Sequence, residues 1–294
     1  MNGKPSLPRN LLILASLLTL GLVIHAQTSP ETPDIPAKFV TATESYDYVR
    51  RDVMIPMRDG VKLFTIVYTP KDASSTNTYP MLMMRTCYSI APYGPDKYAR
   101  SLGPNPFIMR DKYIFVYQDV RGRYMSEGTF VNARPFVPDS VKARNRQAID
   151  ESSDTYDTID WLVKNVANNS GKIGQYGISY PGFYTSMGAL SRHPALVVSS
   201  PQAPVTDFFF EDFHHNGTLT QAYFYAYPIF GIQHPGPTTD DWWMPKMLLN
   251  IGLPDDYAFQ LSLGPLKTTT ERYYKDNSLW EDIIHHPNYD SLWA

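Results

Sequence analysis

The chain has 294 residues, 43% hydrophobic and only 19% charged, so it can bury a sizeable core and wholesale disorder is excluded. A formal net charge of −3, with no lysine- or arginine-rich tract, gives a nucleic-acid partner no support. The single cysteine, Cys87, excludes an intrachain disulfide framework and a cysteine-built metal site. The surplus of proline (25) and aromatic residues (21 Tyr, 14 Phe, 5 Trp) points instead to a loop-rich enzyme with aromatic pockets, in one large α/β domain or two modest ones.

Residues 1–26 read as a signal peptide. Lys4 and Arg9 form a positive start, Leu11 to Ile24 an apolar run, and His25-Ala26 a small-residue cleavage end. The run is shorter than the roughly 20 residues a spanning helix needs, so no stable membrane anchor is expected. A buried core helix is the other reading. It is disfavoured by the Thr/Ser/Pro/Glu-rich stretch from Thr28 to Pro36, which lies in a linker over 27–45. The expectation is a secreted or periplasmic protein, cleaved near Ala26 with no cysteine there to carry a lipid.

An α/β core is expected over 46–207. Tyr46–Met57 and Lys62–Tyr68 read as strands joined by Arg58-Asp59-Gly60, hence an antiparallel pair. Tyr79–Thr86 and Lys112–Val120 are short apolar runs of the kind buried in a parallel sheet. The spacing predicts a helix from about Ser153 to Asn168, with Tyr156, Ile159, Val163 and Val166 on one face. Ser152 or Ser153 would cap it, and Asp154 and Asp157 suit its positive end. Lys172–Ile178 (strand), Gly182–Ser191 (helix) and Leu196–Ser200 (strand) complete an alternation that implies right-handed crossovers and a doubly wound sheet. Residues 208–294 then change character. They hold about a fifth aromatic residues, are broken by Pro228, Pro235, Pro237, Pro245, Pro254 and Pro265, and contain no clear strand, so they read as a helical cap.

The strongest chemical signal is Gly177-Ile178-Ser179-Tyr180-Pro181-Gly182, between the strand Lys172–Ile178 and the helix after it. A tight strand-to-helix turn thrusts a serine out of the backbone, and glycines remove side chains that would collide at the bend. The general elbow pattern is G-x-S-x-G. Here the second glycine falls one place later, and a strand–turn–helix with Ser and Gly is also ordinary turn chemistry.

With these motifs in order, the chain resembles a family of serine hydrolases grouping cocaine esterase, α-amino-acid ester hydrolases and Xaa-Pro dipeptidyl-peptidases, from about Tyr46 to the end. The resemblance rests on Met57-Arg58-Asp59-Gly60-Val61-Lys62-Leu63, on Arg85-Thr86-Cys87-Tyr88, and on Gln118-Asp119-Val120-Arg121-Gly122-Arg123 with Ser126-Glu127-Gly128. It continues through Tyr156-Asp157-Thr158-Ile159-Asp160-Trp161, the Ser-Tyr-x-Gly elbow, and His193-Pro194-Ala195-Leu196. It implies an α/β-hydrolase doubly wound sheet, incomplete in this chain, with a helical, aromatic-rich cap insertion over 208–294. The late glycine is the form this family uses. By the same resemblance Ser179 is the nucleophile, and the backbone N–H of Tyr180 with the hydroxyl of Tyr88 forms the oxyanion hole. A plainer reading of Tyr88 is a strand-end tyrosine packed on the cap. Asp119 and Arg121 read as an ion pair fixing the loop after their strand. In the amino-ester hydrolases an aspartate near the position of Asp212 helps hold the substrate's α-ammonium, together with two later carboxylates. Asp212 reaches that place with a one-residue gap, and a capping acid is the alternative.

A serine needs a histidine base and an acid to orient it, and in this fold they follow it as acid then histidine. His193 beside Pro194 reads as structural, His214 and His215 lie at the cap entrance, His234 in a Pro-Gly loop, and His285 and His286 before Pro287. None follows a sheet strand carrying an acid. Adjacent His214 and His215 make a poor metal site, and neither metal nor cofactor is expected. In the family the acid and histidine come after the cap, so the expectation is that the triad's acid and base are absent: a fragment, a truncated gene product, or an inactive relative. The substrate is expected to be a small ester or amide or a short peptide. Amino-ester hydrolysis, β-lactam acyl transfer, Xaa-Pro peptidase and simple esterase activities compete. The alternative is a catalytically inactive binding module with an aromatic cap.

Overall fold

The computed structural model describes residues 47–145, 147–220, 226–240 and 255–293; the signal and the linker expected at the N-terminus lie outside them. Strands β1 (Tyr48–Pro56) and β2 (Lys62–Pro70) pair antiparallel with Pro56 opposite Lys62. Gly60 closes their turn at φ +89°, a left-handed conformation that glycine adopts without strain. Strands β3 (Tyr79–Thr86), β4 (Ile114–Asp119), β5 (Asn169–Ile178) and β6 (Leu196–Gln202) give the order β1-β2-β4-β3-β5-β6. β2 and β4 run antiparallel, while β3 lies parallel to β4 and β5, and β6 parallel to β5. The crossover helices are α1 (Pro106–Arg110), α2 (Asp139–Arg144), α3 (Glu151–Asn165) and α4 (Tyr180–Ala189).

The period-2 side-chain alternation of β2 divides the core between the two faces. Leu63 and Val67 pack with Met81, Met83 and Ile114 against Ile159 and Leu162 of α3. Phe64, Ile66 and Tyr68 bury the opposite face with Tyr48 and Phe115. β6 forms an edge of the described sheet, where Val197 and Val198 stand 59% and 57% exposed.

Several local expectations need correction. Helix α3 starts at Glu151 and its cap is Asp150, not Ser152 or Ser153. The Asp150 carboxylate accepts from the Ser153 N–H at 2.7 Å while Ser153 Oγ accepts from the Asp150 N–H at 2.8 Å, a reciprocal capping box. The earlier start shifts the buried stripe to Thr155, Ile159 and Leu162. Tyr156 is left 37% exposed, its ring 4.6 Å from that of His193. Asp157 does not serve the helix end; it takes a forked pair of bonds from Arg58 at 2.8 and 2.9 Å.

Asp119 and Arg121 do not pair with each other. Gln118 points at α3, bonding Thr158, so strand alternation sends Asp119 to the other face. There its carboxylate accepts from Tyr93 Oη at 3.0 Å and from the N–H groups of Ile90 and Met125. Arg121, past the end of β4, turns back to α3 and bonds Asp154 at 2.7 and 3.0 Å and Asp59 at 2.7 Å.

The segment after β6 begins with a π-helical turn, Phe208–Phe213. Contrary to the expectation of no strand, β7 (His214–His215) and β8 (Thr218–Leu219) pair across Asn216-Gly217. These turn residues have φ +50° and +84°, the positive values a two-residue hairpin turn requires. Helices α5 (Ala226–Phe230), α6 (Asp256–Leu263), α7 (Leu266–Thr269) and α8 (Ser278–His285) complete the described chain with a further π turn, Thr270–Tyr274. Their shared core is aromatic: the Tyr227 ring sits 5.0 Å from Trp280 and 5.1 Å from Tyr274, with Phe213 and Phe259 packed alongside.

Candidate active site

Ser179 occupies the turn between β5 and α4 with φ +63° and ψ −125°, a conformation non-glycine residues rarely adopt. Its N–H bonds the Gln202 carbonyl of β6 at 3.0 Å and its carbonyl accepts from Phe183 N–H at 3.1 Å. The backbone is therefore held from both sides while the side chain faces outward. The flanking glycines each make a contact that a side chain would forbid. A Cβ on Gly177 would lie 2.2 Å from the Pro181 carbonyl oxygen, and one on Gly182 would lie 2.5 Å from the Gln202 oxygen.

The cavity in front of Ser179 has a volume of about 330 Å³. Tyr88, Tyr180, Phe208 and Phe230 form much of its wall, and Asp212 lines it. Tyr88 stands two residues beyond β3, its N–H anchored on Thr86 Oγ1 at 2.9 Å. Its hydroxyl comes together with the Ser179 side chain and the Tyr180 backbone N–H. Burial pushes the phenol up to about 12, so it stays protonated and able to donate throughout the neutral range. The sequence-derived set Ser179, Tyr180, Tyr88 and Asp212 thus shares one cavity. The neighbouring Glu211 also lines the cavity, its carboxylate accepting from the Thr206 N–H at 2.7 Å and from Thr206 Oγ1 at 2.9 Å.

Tyr180 is fixed by its own hydroxyl, which donates to Asn132 Oδ1 at 2.6 Å and accepts from Ala133 N–H at 2.8 Å. Its ring lies 5.0 Å from Phe230 and 5.8 Å from Phe208. Sequence reasoning missed Phe208, Phe230 and Asn132 because no motif marks them; aromatic density was the only signal. Arg123 was noted only inside a motif. It is buried, lies 3.8 Å over the Phe130 ring and bonds the Ile229 carbonyl, linking the core to α5. Cys87 is wholly buried, its thiol pushed up to about 12, and is unsuited to act as a nucleophile.

No histidine among the described residues lines the Ser179 cavity. His193 is buried and accepts from Ala195 N–H through Nδ1; burial lowers its pKa. His214 stacks on Phe209 at 4.7 Å, His285 pairs with Glu281 at 3.0 Å, and His286 with Asp290 at 2.7 Å. His234 lines a separate loop cavity with Pro235 and Asp240. No group of three or more His, Cys, Asp or Glu side chains arranged for a metal occurs among the described residues, and no described helix is long and apolar enough to cross a membrane.

A mainly parallel sheet with an antiparallel edge pair, a sharp strand-to-helix serine turn and a helical aromatic layer define the α/β-hydrolase fold. Within that fold, residues 59–294 match the X-Pro dipeptidyl-peptidase (S15 family), and the chain belongs to it. It is 31% identical over 163 residues to the cocaine esterase of Rhodococcus sp. (strain MB1 Bresler), covering 55% of this chain and 24% of the esterase. Among solved structures, an α-amino acid ester hydrolase is 35% identical with a TM-score of 0.66, over 90% of this chain and 42% of that one. An aminopeptidase from a marine sediment archaeon, Thaumarchaeota archaeon, is 34% identical with a TM-score of 0.65 at the same coverage. The chain therefore spans less than half the length of these relatives.

Proposed function

We propose that this chain carries the nucleophile part of a secreted or periplasmic serine hydrolase that cleaves esters or amides through an acyl-enzyme on Ser179. The observation that carries the reading is the convergence of the Ser179 side chain, the Tyr88 hydroxyl and the Tyr180 N–H at one cavity. Attack by Oγ on a substrate carbonyl places negative charge on the carbonyl oxygen, and the two donors gathered beside Ser179 would stabilise it. Asp212 in the wall inclines the reading toward substrates bearing an α-ammonium, as in amino esters, over Xaa-Pro peptides or simple esters. The base and its orienting acid would come from outside the described residues, since no described histidine reaches this cavity.

Prolonged exposure to a fluorophosphonate at pH 9, followed by peptide mapping, tests the nucleophile. An adduct on Ser179 that is lost in Ser179→Ala is expected; labelling that survives the substitution refutes it. The same absence of a histidine favours one further reading, an inactive binding module. Both readings expect no acyl-enzyme burst from residues 1–294 with nitrophenyl esters. A burst abolished by Ser179→Ala would instead show that the base lies within these residues. Selective Ser179 labelling favours the enzyme over the module.

A further inference from the structure

A second cavity, of about 160 Å³, shares Phe208 as a wall with the cavity of Ser179. Its apolar side is built by Phe183, Met187, Leu279 and Trp293, and three charged residues also line it: Arg134, Asp207 and Asp282. Arg134 is fixed by one bond, Nη2 to the Thr129 carbonyl at 3.0 Å. Its Nε is buried without an acceptor, a costly state for a charged donor. Buried Glu151 feels the Arg134 charge but does not fill that Nε position. One Asp207 oxygen accepts from the Phe210 N–H at 3.0 Å, while Asp282 is exposed on α8. Neither carboxylate is ion-paired with Arg134, so opposite charges line one cavity without neutralising each other.

A guanidinium on a cavity wall selects a carboxylate, and carboxylates select an ammonium. An aromatic and aliphatic wall between them selects an apolar side chain. One small molecule satisfies all three at once. We propose that this cavity binds a free α-amino acid with an apolar side chain. Its carboxylate would lie on Arg134, its ammonium toward Asp207 and Asp282, and its side chain against Phe183, Phe208 and Trp293. The size agrees, since an apolar cavity of about 150 Å³ holds a benzene molecule and the polar groups of an amino acid lie at the charged side. The site does not depend on any role of Ser179.

The test is titration of the chain with L-leucine by calorimetry. The half-ligands 4-methylpentanoate, which lacks the ammonium, and 3-methylbutylamine, which lacks the carboxylate, are run alongside. Saturable leucine binding is expected, at least tenfold tighter than either half-ligand. It should weaken tenfold or more in Arg134→Gln and severalfold in Asp282→Asn, and be unchanged in Ser179→Ala. No saturable leucine binding, half-ligands that bind as well as leucine, or leucine affinity lost in Ser179→Ala overturns the assignment. Asp282 is on the surface, so Asp282→Asn remains informative if Arg134→Gln does not fold; in that case unchanged affinity in Asp282→Asn overturns the proposal.

Discussion

Removing one oxygen from Tyr88 separates its chemical role from its packing role. In Tyr88→Phe the ring stays, with its centroid 6.0 Å from Phe230 and 6.4 Å from Tyr180, so the aromatic wall is preserved. The lost hydroxyl is partly buried, and a hydrogen bond of that kind contributes about 1 kcal/mol net, a fall of roughly 2–4 °C in Tm for a domain of this size. Its loss from an oxyanion hole is larger, about 2.7–4 kcal/mol, or 10²- to 10³-fold in rate. The rate is read as the second-order constant for fluorophosphonate attack at Ser179, because phosphonylation also places charge on an oxygen in the hole. The expected result is a fall on the order of 10²-fold with a melting curve lowered only a few degrees. Because the phenol's pKa is raised to about 12, the parent rate should show no loss attributable to Tyr88 ionisation up to about pH 10. A variant that labels within threefold of the parent while remaining folded would refute the donor role and leave Tyr88 as a packing residue.

Asp119 has a carboxyl pushed up to about 8 by burial, although Tyr93 and two backbone N–H groups hold it. An acid whose folded pKa exceeds its unfolded value binds more protons folded than unfolded. Its contribution to stability therefore falls as pH rises from about 4 through 8. Asp119→Asn, a mimic of the protonated form, should gain stability relative to the parent across that window; a Tm difference independent of pH between 5 and 8 rejects the account. Gly182→Ala would bring a Cβ to 2.5 Å from the Gln202 oxygen and 3.3 Å from that of Gly177, both backbone atoms. It is expected to unfold the chain or to shift the elbow, and a variant matching the parent in both Tm and Ser179 labelling contradicts that contact. Arg121→Met leaves Asp154 without its 2.7 Å partner in a site where both side chains are at most 3% exposed, and should cost about 3–5 kcal/mol. Thermal denaturation checks it, and a fall of only a degree or two would show that Arg85, 3.9 Å from Asp154, suffices.

What was legible in the sequence was what a single strand or turn encodes. The run Tyr79–Thr86 is β3 to the residue, because a parallel strand buried on both faces reads as a near-continuous apolar run, here Tyr79 to Met84. The start of α3 was misplaced because Asp150, immediately ahead of the first helical residue Glu151, outcompetes two serines as the first acceptor. The partners of Asp119 and Arg121 were hidden for another reason. Which way each residue faces depends on where β4 stops, and their side-chain partners, a donor for Asp119 and acceptors for Arg121, lie 26 to 62 residues away in sequence. The aromatic surplus announced a cap but not which rings meet Ser179, since Phe208 and Phe230 come from segments joined only in the fold. The displaced glycine shows how far a local departure can be read once the contacts are known. Gly177 makes room for Pro181, and Gly182 makes room for the strand carbonyl that also receives the Ser179 N–H. The two glycines answer to two different neighbours, one in the helix and one in β6. Their spacing is therefore set by where α4 rests on the sheet: a glycine at position 181 would still leave the side chain at 182 to collide with Gln202.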